Sequence, residues 1–314
     1  MRRRRGPSPA LRKAVRAGAA GAVAAAVAVP LLRRRARLPT PVTVAATAAG
    51  PLALAVLHPR SHKRDVGLFA LQMWAFTMIH ELPYDDPEAL RRRLRTRYPI
   101  AVDRAIGGGR LPNARLQRAL AGLPRVRLFD RFLTWVHWLW FVQPYLALLY
   151  ILLRHPRRFP RAARQMAAVF DLGCVVYFAA PTAPPWWSSQ QGLTGEEVRR
   201  IMEEVGKEFW GPAWPAMYAA LGGNPWAAMP SLHFATATMA AISLSEAGCG
   251  PGAVGWAYAT ALGFGLVYLG EHYVTDLAAG GALVAAVRGG EPLVEPLVEG
   301  VNGGLRRLER LAAG

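Results

Sequence analysis

Eight stretches of roughly 18 residues with few charges run through this chain, at about 14–32, 41–58, 65–80, 132–153, 163–180, 231–248, 252–270 and 273–289. A helix of that length matches the apolar thickness of a bilayer. Inside lipid a helix also satisfies its own backbone polar groups, which isolated strands cannot do. The pattern predicts an all-α, polytopic membrane helix bundle of about eight spans. The first two stretches are Ala-rich and weakly apolar, and the third is short. The last three are rich in Gly and Ala, which lets helices pack closely in lipid. A 53% hydrophobic composition over 314 residues, with mean hydropathy +0.16, agrees with that class.

The formal net charge is +18, nearly all of it from arginine. The arginines lie between the apolar stretches rather than in one basic domain. They read as membrane flanks that meet anionic headgroups, not as a nucleic-acid surface. The basic start followed by 14–32 has the outline of a secretory signal. The sequence after it, "PLLRRRARLP", has no small-residue cleavage site, so a retained segment is favoured. With eight spans the 38 Lys and Arg divide equally between the two faces, so charge does not assign the orientation. The two cysteines, Cys174 and Cys249, make neither a disulfide framework nor a zinc site.

Along the chain the expected organisation is a basic segment with Ala-rich spans at 1–60, a membrane domain at 61–290 and a peripheral tail at 291–314. Two loops stand out. In 81–131, Asp86 is placed to cap a basic helix with Pro87 in its first turn, and "GGGRLPN" is a turn signal. In 182–228, Thr194 and Glu197 have capping-box spacing. Val198, Ile201, Met202, Val205 and Phe209 recur at helical spacing, which predicts an amphipathic surface helix.

The chemistry-bearing residues lie in the last four spans. Counting spans outward and back puts Pro181, His233 and His272 on one face of the membrane. An ionisable group at a membrane helix is a functional candidate in its own right. His272 and Asp276 are spaced i, i+4, so the carboxylate can fix the imidazole tautomer and leave the other ring nitrogen nucleophilic. The bland alternative is a His–Asp pair that only ties two helices together. The second histidine on the same face favours catalysis, with His233 as general acid to a leaving oxygen. Ser231 opens a helix whose first amides can hold an anion. Nucleophile, acid and amide cradle together suit phosphoryl transfer.

"PSLH" followed by "EHYVTD" resembles the second and third motifs of the type 2 phosphatidic acid phosphatase (PAP2) superfamily. With "PTAPP" as the first motif, the chain is similar to the inositol phosphorylceramide synthase branch and its bacterial relatives. The resemblance covers roughly 130–290. It implies a six-helix membrane core and a phosphohistidine intermediate without metal or other cofactor. It assigns His272 as nucleophile, Asp276 as its orienting carboxylate and His233 as acid. It also implies a lipid phosphate or phosphodiester substrate and an active site facing away from the cytosol.

The chain departs from the phosphatase pattern. "YFAAPTAPPWW" carries neither the lysine nor the arginine of the first motif. "GFGLVYLGEH" has no arginine and puts Glu271 beside the histidine, and Leu232 stands where the second motif usually has glycine. Thr182 and Ser231 are expected to bind phosphate, with Arg131, Lys207 and the arginines of 81–131 as candidate cations and His80 and His137 as further possibilities. The absent motif cations lean toward a diester or transferase substrate. The contrasting expectation is a non-catalytic transporter or scaffold that keeps the fold.

Overall fold

The computed structural model describes residues 8–120, 126–221 and 226–313. The arginine run at 2–5 lies outside them. The described residues form helices α1 (Pro9–Ala36), α2 (Thr40–Leu57), α3 (His62–His80), α4 (Pro87–Arg92), α5 (Arg97–Ile106), α6 (Pro112–Leu120), α7 (Val126–Leu139) and α8 (Gln143–Arg154). These are followed by α9 (Phe159–Ala179), α10 (Pro185–Gln190), α11 (Ile201–Trp210), α12 (Trp214–Leu221), α13 (Leu232–Ala247), α14 (Cys249–Tyr268) and α15 (Val274–Ala313). No strand occurs among the described residues, so the fold is all-α.

Among the described residues, four helices, α1, α2, α9 and α15, are long and apolar enough to cross a membrane. The pair α7–α8, bent by 55°, makes a fifth if it counts as one span. This corrects the expectation of eight spans, and the reasons are local. Helix α13 has 16 residues, about 24 Å of rise, which is short of the hydrocarbon core. Glycines and aromatics dilute the hydropathy of α14, and α3 opens on Lys63, Arg64 and Asp65.

The chain divides into two compact units. The first comprises residues 1–85 and 288–314, and the second comprises 86–287. In the first, Ser8 caps α1 by accepting from the Leu11 amide at 3.3 Å, and three arginines in its last turn complement the helix dipole. Gly50 lets α2 approach its neighbours: a Cβ there would lie 2.6 Å from Ala26 on α1 and 3.1 Å from Leu71 on α3. Ala19, Val56 and Ala312 bury together, so the end of α15 packs on α1 and α2. The exposed Asp85 binds Arg33 at 2.9 Å and Arg34 at 2.7 Å through its carboxylate. Arg64 reaches Glu309 at 3.0 Å. Residues 291–313 are the last part of α15.

In the second unit, α13 is the central helix and packs on α8, α9 and α14. Its small residues Ala235, Ala237, Ala240 and Ala241 are fully buried. The α13–α14 hairpin is tight because Gly252 and Gly255 face α13: a Cβ at either would come within 2.8 Å of the α13 backbone. Gly280 does the same for α15, where a Cβ would sit 2.7 Å from the Ser231 carbonyl oxygen. Gly280→Ala should therefore push the start of α13 aside and cost about 2 kcal/mol, read as a lower thermal midpoint in detergent. An unchanged midpoint would mean that the crossing is looser than it stands here.

Asp86 caps α4 as the sequence predicts, accepting from the Ala89 amide at 2.9 Å. The Thr194–Glu197 capping box does not form. The Thr194 hydroxyl instead turns back on Glu196, and the helix starts only at Ile201. The backbone before it is already committed to distant partners: the Val198 amide to Ser189 Oγ, Arg199 to Gln117 Oε1 and Ile201 to the Leu269 carbonyl. The amphipathic reading of α11 otherwise holds. Ile201, Met202 and Val205 are buried, and Phe209 is half exposed.

Candidate active site

Three extended segments meet at Thr182, which bridges to Arg95 on one side and Ala227 on the other. The Thr182 amide donates to the Trp226 carbonyl and the Ala228 amide donates back to Thr182. This ties "PTAPP" to the chain that leads into "MPSLH". Ser231 then caps α13, its Oγ accepting from the Phe234 amide at 3.3 Å. The Ser231 amide donates to the Asp276 carbonyl at 2.9 Å, which joins the start of α13 to the first turn of α15.

The short α14–α15 connection that carries Glu271 and His272 is held from below by α5 and α6. Asn113 Nδ2 donates to the carbonyls of Val267 and His272, at 2.7 and 2.9 Å. Gln117 Nε2 donates to those of Tyr268 and Arg199. Asp103, fully buried, caps α15 by accepting from the amides of Val274 at 2.8 Å and Thr275 at 2.9 Å, and from the Thr275 hydroxyl. Gly270 has φ +83° and lies so close to the Arg199 carbonyl that a Cβ would reach to 2.4 Å of it. Only glycine makes this turn without strain.

His272 sits two residues before α15, so the i, i+4 pair is not formed along one helix face as the spacing predicts. Asp276, in the first turn, reaches back over the helix start. Its Oδ2 accepts from the Tyr273 amide at 2.9 Å and from His272 Nδ1 at 3.3 Å. The other ring nitrogen, Nε2, faces His233 Nδ1 at 3.2 Å. A consistent proton assignment runs from His233 Nδ1–H to His272 Nε2 and from His272 Nδ1–H to the carboxylate. Asp276 and His272 are buried, at 0% and 4% exposure. The two rings must part before a phosphorus atom can sit between them.

Aromatic groups wall the far side of His233. The Trp140 ring lies 4.1 Å away and the His137 ring 5.0 Å away, centroid to centroid. Trp140 is fixed by its Nε1–H donating to Thr236 Oγ1 at 2.8 Å. His137 is buried, and its Nδ1 has no hydrogen-bond partner among the described residues.

Of the residues expected to bind phosphate, Ser231 and Thr182 stand in this region and both are fully buried. Their polar atoms already have partners. The Thr182 hydroxyl meets Tyr98 Oη at 2.9 Å and the Ala180 carbonyl at 3.0 Å. At the start of α13, Ser231 Oγ serves Phe234, and just before it the Tyr177 hydroxyl donates to the Pro230 carbonyl at 2.7 Å. Arg131 pairs with Glu208 at 2.5 Å and Lys207 with Glu203 at 2.7 Å. Neither makes a hydrogen bond or ion pair with His233, His272 or Asp276 among the described residues. His80 lies on α3 in the first unit. No group of three or more His, Cys, Asp or Glu side chains among the described residues is arranged to hold a metal ion.

The structure adds Arg200, which the sequence left among flanking arginines. It binds Glu271, the neighbour of His272, at 3.0 Å. Burial draws its pKa down, but Glu271 and Tyr218 outweigh that and the net shift is upward, so the guanidinium stays charged. Arg200 and Glu271 both lie within electrostatic reach of His137. Asp103, Asn113 and Gln117 were likewise not expected. Their readable signal is polar groups on the apolar face of short helices, with Asn113 and Gln117 one turn apart.

Comparison with curated proteins and with solved structures returned no match. A model of the PAP2 superfamily matches residues 101–288, well over half of the chain. The matched stretch contains the Asp276–His272–His233 chain and the α5–α6 residues that hold it. On that match the chain belongs to the PAP2 superfamily, a membership that supports phosphatase-type chemistry in a membrane protein.

Proposed function

We propose that this protein cleaves or transfers the phosphate of a membrane lipid through a covalent intermediate on His272. The observation that carries the reading is the hydrogen-bonded order Asp276, His272, His233. Asp276 holds the His272 tautomer and stabilises the cation that forms as Nε2 bonds to phosphorus. His233 gives its Nδ1 proton to the departing oxygen, then takes a proton from the incoming acceptor. Ser231, Thr182 and Asp103 hold the segments in register, so their part is positioning.

The acceptor decides between two outcomes on one intermediate. Water gives a lipid phosphatase. A hydroxyl of an alcohol or a second lipid gives a phosphotransferase, and inositolphosphotransferase-like chemistry is the form that the motif pattern favours. The active site is proposed to open on the extracytoplasmic side. Each step is assigned to side chains, so turnover is expected to be unchanged in excess EDTA.

The test uses purified protein in mixed micelles with a lipid phosphodiester labelled at phosphorus, with and without polyol acceptors. A labelled ester product that forms only with acceptor identifies a transferase. Free labelled phosphate or phosphate monoester in both arms identifies a hydrolase. No His272-dependent product with any acceptor would overturn the proposal.

A further inference from the structure

Arg200 and Glu271 form a closed pair at the edge of the histidine site. Their side chains are only 10% and 11% exposed. Every face of the guanidinium is used. Nε donates to Glu271 at 3.0 Å, one terminal nitrogen to Glu203 at 3.1 Å and the other to Tyr218 Oη at 2.5 Å. The plane lies over the rings of Trp186, at 4.0 Å, and Tyr218, at 4.9 Å. Glu203 in turn holds Lys207 at 2.7 Å. Two cations therefore meet two carboxylates, and the network has no positive charge to spare.

Neither the "PTAPP" segment nor the start of α7 adds one. Residues 177–187 contain no Lys or Arg, and Arg131 is taken by Glu208. The fixed charges beside His272 are the Asp276 carboxylate, which balances the histidine, and the Glu271 carboxylate, which balances Arg200. A phosphate that enters this region finds the attraction of Arg200 cancelled by Glu271, and in a buried, weakly screened setting that loss weighs more on a phosphate of higher charge. A phosphomonoester brings close to two charges above neutral pH, and a phosphodiester brings one.

Resting on the phosphotransfer reading above, we propose that Glu271 sets substrate class by keeping Arg200 neutralised, so that the site takes a singly charged lipid phosphodiester in preference to a doubly charged monoester. The step is the same for both. A bond forms from His272 Nε2 to phosphorus, the phosphorus–glycerol oxygen bond breaks, and the His233 proton goes to the glycerol oxygen. Water then breaks the nitrogen–phosphorus bond. The diester yields an alkyl phosphate where the monoester yields inorganic phosphate.

The probes are a phosphatidate and its monomethyl ester with identical acyl chains, assayed at pH 8 by release of diacylglycerol. Wild type is expected to have the higher kcat/KM on the methyl ester. Glu271→Gln leaves Arg200 uncompensated and should move the monoester-to-diester ratio by about tenfold toward the monoester. Arg200→Gln should move it the other way, and the charge-balanced double variant should return it to near the wild-type value. The ratio is taken within one preparation, so a variant that folds less well still reports it. Wild type preferring the monoester, or a ratio unmoved by Glu271→Gln, would overturn the charge selection. Turnover of either lipid that survives His272→Ala would instead overturn the histidine reading on which it rests.

Discussion

His272→Ala is expected to lower lipid turnover by about 10⁴-fold, to the level set by positioning alone. The imidazole Nε2 is the atom that bonds to phosphorus, and its ring is the one that Asp276 holds. His233→Ala should cost about 10³-fold, the worth of a general acid to a poor leaving group. The two variants separate on a lipid ester of nitrophenol, whose leaving group departs without protonation. His233→Ala should recover most of its rate there, and His272→Ala should recover none. Equal recovery of both, or of neither, would mean that the roles are not divided in this way. Asp276→Asn keeps the size of the side chain but presents an amide to His272 Nδ1, and is expected to lose 10²-fold or more on both substrates.

Asp103→Ala is expected to cost about 3 kcal/mol of stability, the largest effect of any change away from the histidines. Its carboxylate is fully buried and takes three hydrogen bonds from Val274 and Thr275. Removing it strands buried donors at the start of α15, and the helix dipole loses its negative charge. The same helix start holds Asp276 and follows His272 by two residues, so activity should fall along with stability. The measurement is a thermal melt in detergent paired with turnover of the surviving folded fraction. A normal melt with normal turnover would remove Asp103 from the support of the site. Asp103→Asn, which can still accept through its amide oxygen, should lie between the two.

Much of the site could be read from spacing because its parts announce themselves locally. Ser231 follows Pro230 at a helix start, His272 and Asp276 lie within five residues, and span parity alone puts them at one end of their helices. Parity survives the correction to the span count, since α13 and α14 still form a hairpin whose open end carries both histidines. What the residues did not reveal is what holds the site. Asp103, Asn113 and Gln117 bind backbone groups about 150 to 170 residues away in the chain, and no local period reports such a contact. The capping box at Thr194 failed for the same reason: distant acceptors claimed the backbone that a local helix would have used. Arg200 was hidden among many flanking arginines, and only its closed pairing with Glu271 sets it apart.

The most direct test of the account is to stop the reaction before the second step. Wild-type protein mixed rapidly with phosphorus-labelled lipid and quenched in denaturant should carry a label that is acid-labile and alkali-stable. After proteolysis the label should map to the peptide containing His272. A label on any other residue, or a burst of released diacylglycerol with no protein-bound phosphorus, would contradict a covalent histidine intermediate at this site.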